Sequence, residues 1–215
     1  MPAQHTEQAW IRWMAAQPNP REVLATFAKH YHYFSIHQVI EFTGLFRAVA
    51  PEDRDSLAEL ASVLSEELGG GDPKAVHSRL FERFVAATGV DVTKLPLADE
   101  VVAPGVRAYV DALHDSFHDG SPVEAFAAYV FLESSAVETY APLLAALRGT
   151  RLFTDDDLVF FIRHAEVEPG HQHAAEELAS RYVTSADRDA FDAHVARLAQ
   201  KWDGFWTSIQ EVTAT

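Results

Sequence analysis

Three side chains in the last third of the chain have types and spacings suited to holding a metal ion. His164, Glu168 and His171 stand at positions i, i+4 and i+7 of a helical stretch. At about 100° per residue these positions lie within about 60° of one another, so the three side chains leave one helix face. Two imidazoles and a carboxylate that converge inside a helical bundle would bind a first-row metal. A solvated ion pair on a wet helix is the alternative.

Two neighbouring features bear on that choice. The apolar run Leu158-Val-Phe-Phe-Ile162 precedes His164, so this histidine emerges from a buried stretch rather than from a charged face. Pro169-Gly170 separates Glu168 from His171 and predicts a break in the helix, since proline removes a helical hydrogen bond. Breaks of this kind are typical of functional sites. The alternative is a plain kink between two structural segments.

Two further segments offer ligands of the same kind. Glu67 and His77 flank a triple glycine that permits a sharp reversal between two helices. Glu133 follows seven residues without a charge, which predicts a buried carboxylate that needs a metal, a cation or a hydrogen-bond donor. A buried arginine, either Arg163 or Arg47, is the alternative partner for Glu133. For Glu67 and His77 the alternative is an ordinary exposed pair.

Composition narrows the kind of protein and the kind of site. The length of 215 residues predicts one domain, 1–215, in which the first ~20 residues form an extension. The net charge of -15 argues against nucleic acid and anionic membranes as partners. Neither a secretory signal nor an apolar run of the ~18–20 residues that span a bilayer is recognisable, so a cytoplasmic protein is expected. Cysteine is absent, so histidine and carboxylate must supply any ligands, which suits iron, manganese or zinc.

Proline, glycine and capping residues divide the chain into seven predicted helices with no strand signal, which predicts an all-α bundle. The predicted helices are Arg21 to Ala50, Pro51 to the glycines at 69–71, Asp72 to Gly89, Val106 to Phe117, Ser121 to Leu147, a sixth that starts at Thr154 and carries His171, and Ser185 to Val212.

The order of these elements resembles a known family. Glu67 with its following glycines and His77, a mid-chain Glu133, and the His-x3-Glu-x2-His run are together similar to the haem-oxygenase-like di-metal oxidases. The resemblance covers most of the chain and implies a seven-helix, haem-oxygenase-like bundle that carries two irons and no haem. The ligands that it implies are Glu67, His77, Glu133, His164, Glu168 and His171, with Glu41 of the first long helix as a candidate seventh. The family often has aspartate where this chain has Glu168.

The resemblance implies two Fe(II) ions, with manganese as the alternative metal, and dioxygen as co-substrate. The expected reaction is oxidation of a small organic substrate with an external electron donor, either N-oxygenation of an amine or amino acid or oxidative C–C cleavage, in natural-product biosynthesis. Glu41 favours N-oxygenation, whereas aromatic residues at helical spacing fit an apolar substrate, so fatty-acid-type decarboxylation stays an alternative. The resemblance leaves a homodimer open.

Three other functions compete with a di-iron oxidase. A haem-binding protein of the same shape would use His30 or His37 as its axial ligand, but no glycine-rich distal segment is present. A thiaminase-like hydrolase in its common form needs a cysteine nucleophile, and the chain has none. A non-catalytic helical bundle would give no reason for six residues that can bind metal to occur in this order.

Overall fold

The computed structural model describes residues 4–214, and residues 1–3 and 215 of the predicted domain lie outside this range. Eight α-helices and no strand occur in the described part, so the all-α prediction is confirmed. The helices are α1 (Gln4–Ala15), α2 (Pro20–Phe42), α3 (Arg54–Glu67), α4 (His77–Thr88), α5 (Pro104–His114), α6 (Pro122–Thr150), α7 (Val159–Tyr182) and α8 (Arg188–Thr213). Over residues 4–214, no helix is long and apolar enough to cross a membrane.

The N-terminal segment forms helix α1, an eighth helix in addition to the seven predicted. Trp10 and Met14, one turn apart, are fully buried between α6 and α8. The Trp10 ring lies 4.8 Å from Phe27 and 5.2 Å from Trp206. Helix α1 therefore belongs to the core of the bundle, because two large apolar side chains on one of its faces require burial.

Helices α6 and α7 pack against each other along their length and form the centre of the bundle. Ser121 begins α6 with a capping box, since its hydroxyl accepts from the Glu124 backbone N–H at 3.3 Å while the Glu124 carboxylate accepts from the Ser121 N–H at 2.9 Å. Pro142 lies inside α6 without ending it. The pair places Glu133 of α6 opposite the ligand-bearing face of α7.

The reversal after α3 differs from the predicted one. Gly69, Gly70 and Gly71 all have positive φ angles, of +83°, +59° and +94°, as the chain turns back. The predicted start of the next helix at Asp72-Pro73 is wrong: Asp72 instead closes a turn, with its carboxylate accepting from the Lys74 N–H at 2.9 Å. Helix α4 begins at His77, so this residue occupies the first helical position rather than the second turn.

Other helix limits also differ from the predicted ones. Helix α2 ends at Phe42 and continues as a 3₁₀ segment, Thr43–Ala48. Thr154 does not start α7, because its hydroxyl and N–H pair with Asp157 in a turn that precedes the helix. The start of α8 lies at Arg188, after a similar turn that begins at Thr184. At the starts of α7 and α8, a side-chain-capped turn replaces the first predicted helical turn.

The predicted break at Pro169-Gly170 is also wrong. Helix α7 runs without interruption from Val159 to Tyr182, and Pro169 lies exposed inside it. Proline forfeits one backbone hydrogen bond, but the burial of α7 against α6 keeps both halves of the helix in line. The same-face geometry of the ligand residues therefore survives across the proline.

Candidate metal centre

Helix α7 carries His164, Glu168 and His171 on one buried face. The His164 Nε2 atom lies 3.8 Å from Glu168 Oε1, and the His171 Nδ1 atom lies 3.7 Å from Glu168 Oε2. Only 1% of the His164 side chain and 4% of the Glu168 side chain is exposed. A solvated ion pair on a wet helix is therefore excluded, because neither group reaches water.

The turn between α3 and α4 brings a second pair of residues to this face. His77 Nδ1 lies 3.0 Å from Glu67 Oε1, and the rings of His77 and His164 are 4.6 Å apart. One donor atom from each of Glu67, His77 and His164 lies within 4.8 Å of the other two. These three residues form the first donor group.

Glu67 also takes part in a second donor group, with Glu168 and His171, whose donor atoms again lie within 4.8 Å of one another. Glu133 of α6 lies beside this group, with its Oε2 atom 3.8 Å from His171 Nδ1. All six residues of the predicted ligand set are thus brought together, and we call them the central cluster. Its donors fall into two groups that share one carboxylate, as a pair of adjacent metal ions would require.

Several polar atoms of the central cluster are buried without a hydrogen-bond partner. They are His164 Nε2 and Glu168 Oε2, together with His77 Nδ1, whose contact with Glu67 Oε1 at 3.0 Å lacks the angle of a hydrogen bond. Leaving such atoms unpaired costs about 1–3 kcal/mol each, more when the group is charged, and buried polar atoms in proteins are rarely left so. A pair of metal ions would satisfy all three, because His77 and His164 belong to the first donor group and Glu168 to the second. The donor set therefore fits a pair of first-row metal ions.

Hydrogen bonds outside the cluster orient its histidines. His164 Nδ1 donates to the Phe160 carbonyl at 2.8 Å, which leaves the lone pair on Nε2 facing the cluster. His171 Nε2 lies 3.2 Å from Glu66 Oε2, which leaves Nδ1 facing Glu133 and Glu168. Carboxylates and backbone carbonyls hold metal-binding histidines in this way in many proteins.

Glu66 was missed by the sequence analysis, although it adjoins Glu67. Its carboxylate contacts both His171 and the guanidinium of Arg163. The alternative partner of Glu133 is thereby excluded, because Arg163 is held by Glu66. Arg47 donates to the Gly120 carbonyl at 3.0 Å and does not pair with Glu133 either. Within residues 4–214, no lysine or arginine forms an ion pair with the buried carboxylates at the centre of the cluster, which pair only with its histidines.

Burial shifts the acid–base properties of the cluster. Burial raises the pKa of Glu133 well above its usual value, and the charge of Glu168 adds to this effect. Burial also raises the pKa of Glu168 to about 8 and lowers the pKa of His164 to about 4. For Glu67, burial acts to raise the pKa, but the close contact with His77 and the charges of the nearby histidines outweigh it and lower the pKa overall. Burial thus disfavours the charged forms of Glu133 and Glu168. A bound cation would stabilise these carboxylates in their charged forms.

Glu41, the candidate seventh ligand, does not join the central cluster. Its Oε2 atom lies 2.8 Å from His114 Nδ1 and 3.2 Å from His118 Nε2, on the side of α2 that faces α5.

The two histidines that a haem protein would use are also engaged elsewhere. His30 Nδ1 accepts from the Ala103 N–H at 3.0 Å, and His37 Nδ1 bonds with the carbonyl of its own helix one turn back.

A small cavity of about 40 Å³ adjoins the central cluster. All three carboxylates of the cluster, those of Glu67, Glu133 and Glu168, line it, and the remaining wall is largely apolar. The other lining residues are Tyr31, Phe34, Gln38, Val39, Phe42, Val63, Leu132, Ser135, Ala136, Thr139, Tyr140 and Trp202. A cavity of this size admits a water-sized molecule next to the carboxylates, and a larger ligand requires the side chains of its wall to move apart.

Tyr140 connects the cavity wall to the cluster and was not recognised from the sequence. Its ring lies 4.4 Å from that of His164, and its hydroxyl lies 3.0 Å from the hydroxyl of Tyr31. The signal that could have found it is its position seven residues after Glu133, which places both on one face of α6.

Fold and site together define an all-helical protein with a buried carboxylate–histidine centre beside an apolar cavity. The family described as "iron-containing redox enzyme" matches residues 25–202. The chain therefore belongs to the iron-containing redox enzyme family, and the resemblance seen in the sequence is confirmed.

Solved structures confirm the haem-oxygenase-like fold. A domain of unknown function with a heme oxygenase-like fold from Shewanella denitrificans OS217 superposes with a TM-score of 0.76 at 16% identity, over 94% of this chain and 83% of that one. A CADD-like protein of unknown function from Nostoc punctiforme PCC 73102 gives 0.71 at 15% identity, over 98% and 97%. A search of curated proteins found no match.

Proposed function

We propose that the protein is a non-haem di-iron oxidase that uses dioxygen to oxidise a small organic substrate. The observation that carries the proposal is the pair of donor groups that share Glu67 at the wall of an apolar cavity. Membership of an iron-containing redox family supports iron as the metal. Manganese is the alternative, since it accepts the same histidine and carboxylate ligands.

Each ion would be held by one donor group. Glu67, His77 and His164 would bind the first ion, and Glu67, Glu168 and His171 the second, with Glu133 available beside it. Bound ferrous ions supply the chemistry that protein side chains lack, the binding and reduction of dioxygen. An external electron donor belongs to this proposal, because no other redox cofactor is implied by the residues of the site.

The chain's own residues would orient the ligands and exclude water. Phe160 and Glu66 hold the two α7 imidazoles in the orientation that points a lone pair inward. The wall of the cavity brings aromatic side chains of α2 close to the carboxylates, so the substrate would meet the ligands in an environment with little water. The Tyr31–Tyr140 hydroxyl pair satisfies the phenols in that wall.

The lining of the cavity favours a substrate that is mostly apolar. Apart from the three carboxylates of the cluster, the polar groups in the wall are uncharged, with Gln38, Ser135 and Thr139 among them. None of the described residues that line the cavity is basic, so a substrate carboxylate would have to bind at the metal ions. The case for N-oxygenation from Glu41 no longer holds, since Glu41 lies elsewhere. Amphipathic amines, amino acids and medium-chain fatty acids are therefore the substrates to compare.

Iron content tests the metal site directly. Protein loaded with ferrous iron without oxygen and then desalted should hold two irons per chain, and the variants His164→Ala and Glu133→Ala should hold fewer. Removing one ligand should weaken binding at its site by at least about tenfold. The matched controls are Glu166→Ala and His173→Ala, since these residues lie exposed on the same helix, α7. Far fewer than two irons in the wild type would refute the proposal.

A cavity-filling variant tests the place of the substrate. Ala136→Phe adds a ring to the wall of the cavity and leaves every residue of the central cluster unchanged. Substrate-stimulated oxygen consumption should fall at least about tenfold while iron content stays at the wild-type level. Unchanged consumption with every substrate class would show that oxidation does not take place in this cavity.

A further inference from the structure

A second set of metal-binding side chains lies where α2 meets α5. Glu41 Oε2 is 2.8 Å from His114 Nδ1 and 3.2 Å from His118 Nε2, and the three donor atoms lie within 4.8 Å of one another. We call these residues the second cluster. It shares no residue with the central cluster, and its histidines are partly exposed, with 52% of the His114 side chain and 31% of the His118 side chain accessible.

A π-helical turn brings the two histidines together. Helix α5 continues into a π turn, Asp115–Asp119, which is closed by the Gly120 N–H donating to the Asp115 carbonyl at 2.6 Å. His114 is the last residue of α5, and His118 lies inside the π turn. The imidazole rings of the two residues stack at 4.8 Å with an angle of 24° between their planes. Turns of this kind are concentrated at functional sites.

Gly44 makes room for the second cluster. A Cβ atom at this position would lie 2.8 Å from His118 Cε1 and 2.7 Å from the Phe117 carbonyl oxygen. Arg47, one turn further on, donates to the Gly120 carbonyl at 3.0 Å and so holds the π turn against the 3₁₀ segment. The carboxylate and the two imidazoles are therefore positioned by packed backbone from two different segments, not by flexible side chains that happen to meet.

The separations in the second cluster match those between the ligands of one metal ion. With metal–ligand distances of about 2.0–2.2 Å in tetrahedral zinc sites, neighbouring ligand atoms lie roughly 3.4 Å apart. The observed distances of 2.8 and 3.2 Å need to open by only a few tenths of an ångström. Asp115 and Asp119 act on His114 electrostatically and add negative charge around it, which favours a cation.

We propose that Glu41, His114 and His118 form a separate site for one divalent first-row transition-metal ion, with zinc as its test ligand. Two imidazoles and one carboxylate bind zinc in many proteins and leave a position open for water. The exposed edges of the two histidines give that open position access to solvent. A bound ion would link α2 to the end of α5.

Zinc binding measured by equilibrium dialysis at slightly alkaline pH tests this site, because neutral imidazoles are the form that binds metal. The wild type should bind one zinc ion more per chain than His118→Ala does, or bind it at least about tenfold more tightly. Glu41→Gln, which keeps the shape of the side chain, should give the same loss. His173→Ala is the matched control, because His173 is an exposed histidine beside a glutamate, Glu177, and should leave zinc binding unchanged.

The difference in zinc binding between the wild type and His118→Ala does not depend on whether the central cluster binds metal. If the central cluster binds no metal, the expected counts are one zinc in the wild type and none in His118→Ala, so the difference of one ion remains. Equal zinc stoichiometry and affinity in the wild type and both variants would overturn the proposal and leave an ion pair between Glu41 and protonated His114. Far-ultraviolet circular dichroism identifies a variant that fails to fold, and in that case the zinc-induced shift of the His114 and His118 ring resonances in wild-type NMR spectra decides.

Discussion

Replacing Glu7 with glutamine should make the protein's stability less dependent on pH. Glu7 lies on α1 with 3% of its surface exposed, and its Oε2 atom accepts from Trp202 Nε1 at 3.1 Å. Burial raises the pKa of Glu7 from 4.5 to about 7, although hydrogen bonds from Thr139 and Trp202 act to lower it. The pKa of Glu7 is therefore higher in the folded than in the unfolded protein, so protonated Glu7 favours the folded state. This contribution to the free energy of unfolding is fully present below pH 4.5 and is lost as the pH rises through about 7.

The size of this effect follows from the pKa difference between the folded and unfolded states. A difference of about 2.5 pH units corresponds to about 3 kcal/mol of folding free energy. Most of it develops between pH 5 and pH 8, where the free energy of unfolding of Glu7→Gln should gain about 2.5 kcal/mol relative to the wild type. For a chain of this length such a difference moves the melting temperature by roughly 5–10 °C.

Urea unfolding at pH 5 and pH 8, followed by tryptophan fluorescence, measures the difference. Glu100→Gln removes the charge of an exposed glutamate and serves as the control, with an expected change within about 0.5 kcal/mol at both pH values. An equal stability difference between Glu7→Gln and the wild type at pH 5 and pH 8 would refute this prediction. That result would show that folding does not change the pKa of Glu7.

Three other substitutions test the packing around the site. Pro169→Ala should raise the melting temperature in differential scanning calorimetry. The substitution restores a backbone hydrogen bond of α7 and removes the clash of the proline ring with the preceding turn, which together cost up to about 3 kcal/mol of folding free energy. Gly105→Ala should destabilise the fold by about 1–3 kcal/mol or more in urea unfolding, because its Cβ atom would lie 2.2 Å from the Gly204 carbonyl oxygen. Tyr140→Phe should cost about 1 kcal/mol in the same assay, as it removes the partner of the Tyr31 hydroxyl.

The predicted ligand residues are those that local pattern specifies best. His164, Glu168 and His171 meet on one face because helix periodicity alone sets their directions, and the structure keeps that face across Pro169. The burial of Glu133 follows from the uncharged run that precedes it. Their role as metal ligands stays a prediction that the iron measurements decide.

Contacts between distant segments could not be predicted from local sequence patterns. Glu66 and Glu67 are adjacent acids at the end of α3, and nothing local shows which of them faces the other ligands and which pairs with Arg163. Glu41 had a suitable position in the sequence, yet its carboxylate turns toward α5. The direction in which a helix faces a neighbour more than seventy residues away depends on packing, not on its own residues.

The sequence by itself determined the all-α class, most of the helices and the residue types that meet in the central cluster. Periodicity and capping are local properties, and they persist in any arrangement of the helices. The tertiary structure decided that α1 belongs to the core, that the two donor groups share Glu67, and that Glu41 joins two histidines instead. These outcomes depend on which helix faces pack together, because burial and close packing of the whole bundle set the distances between residues far apart in the chain.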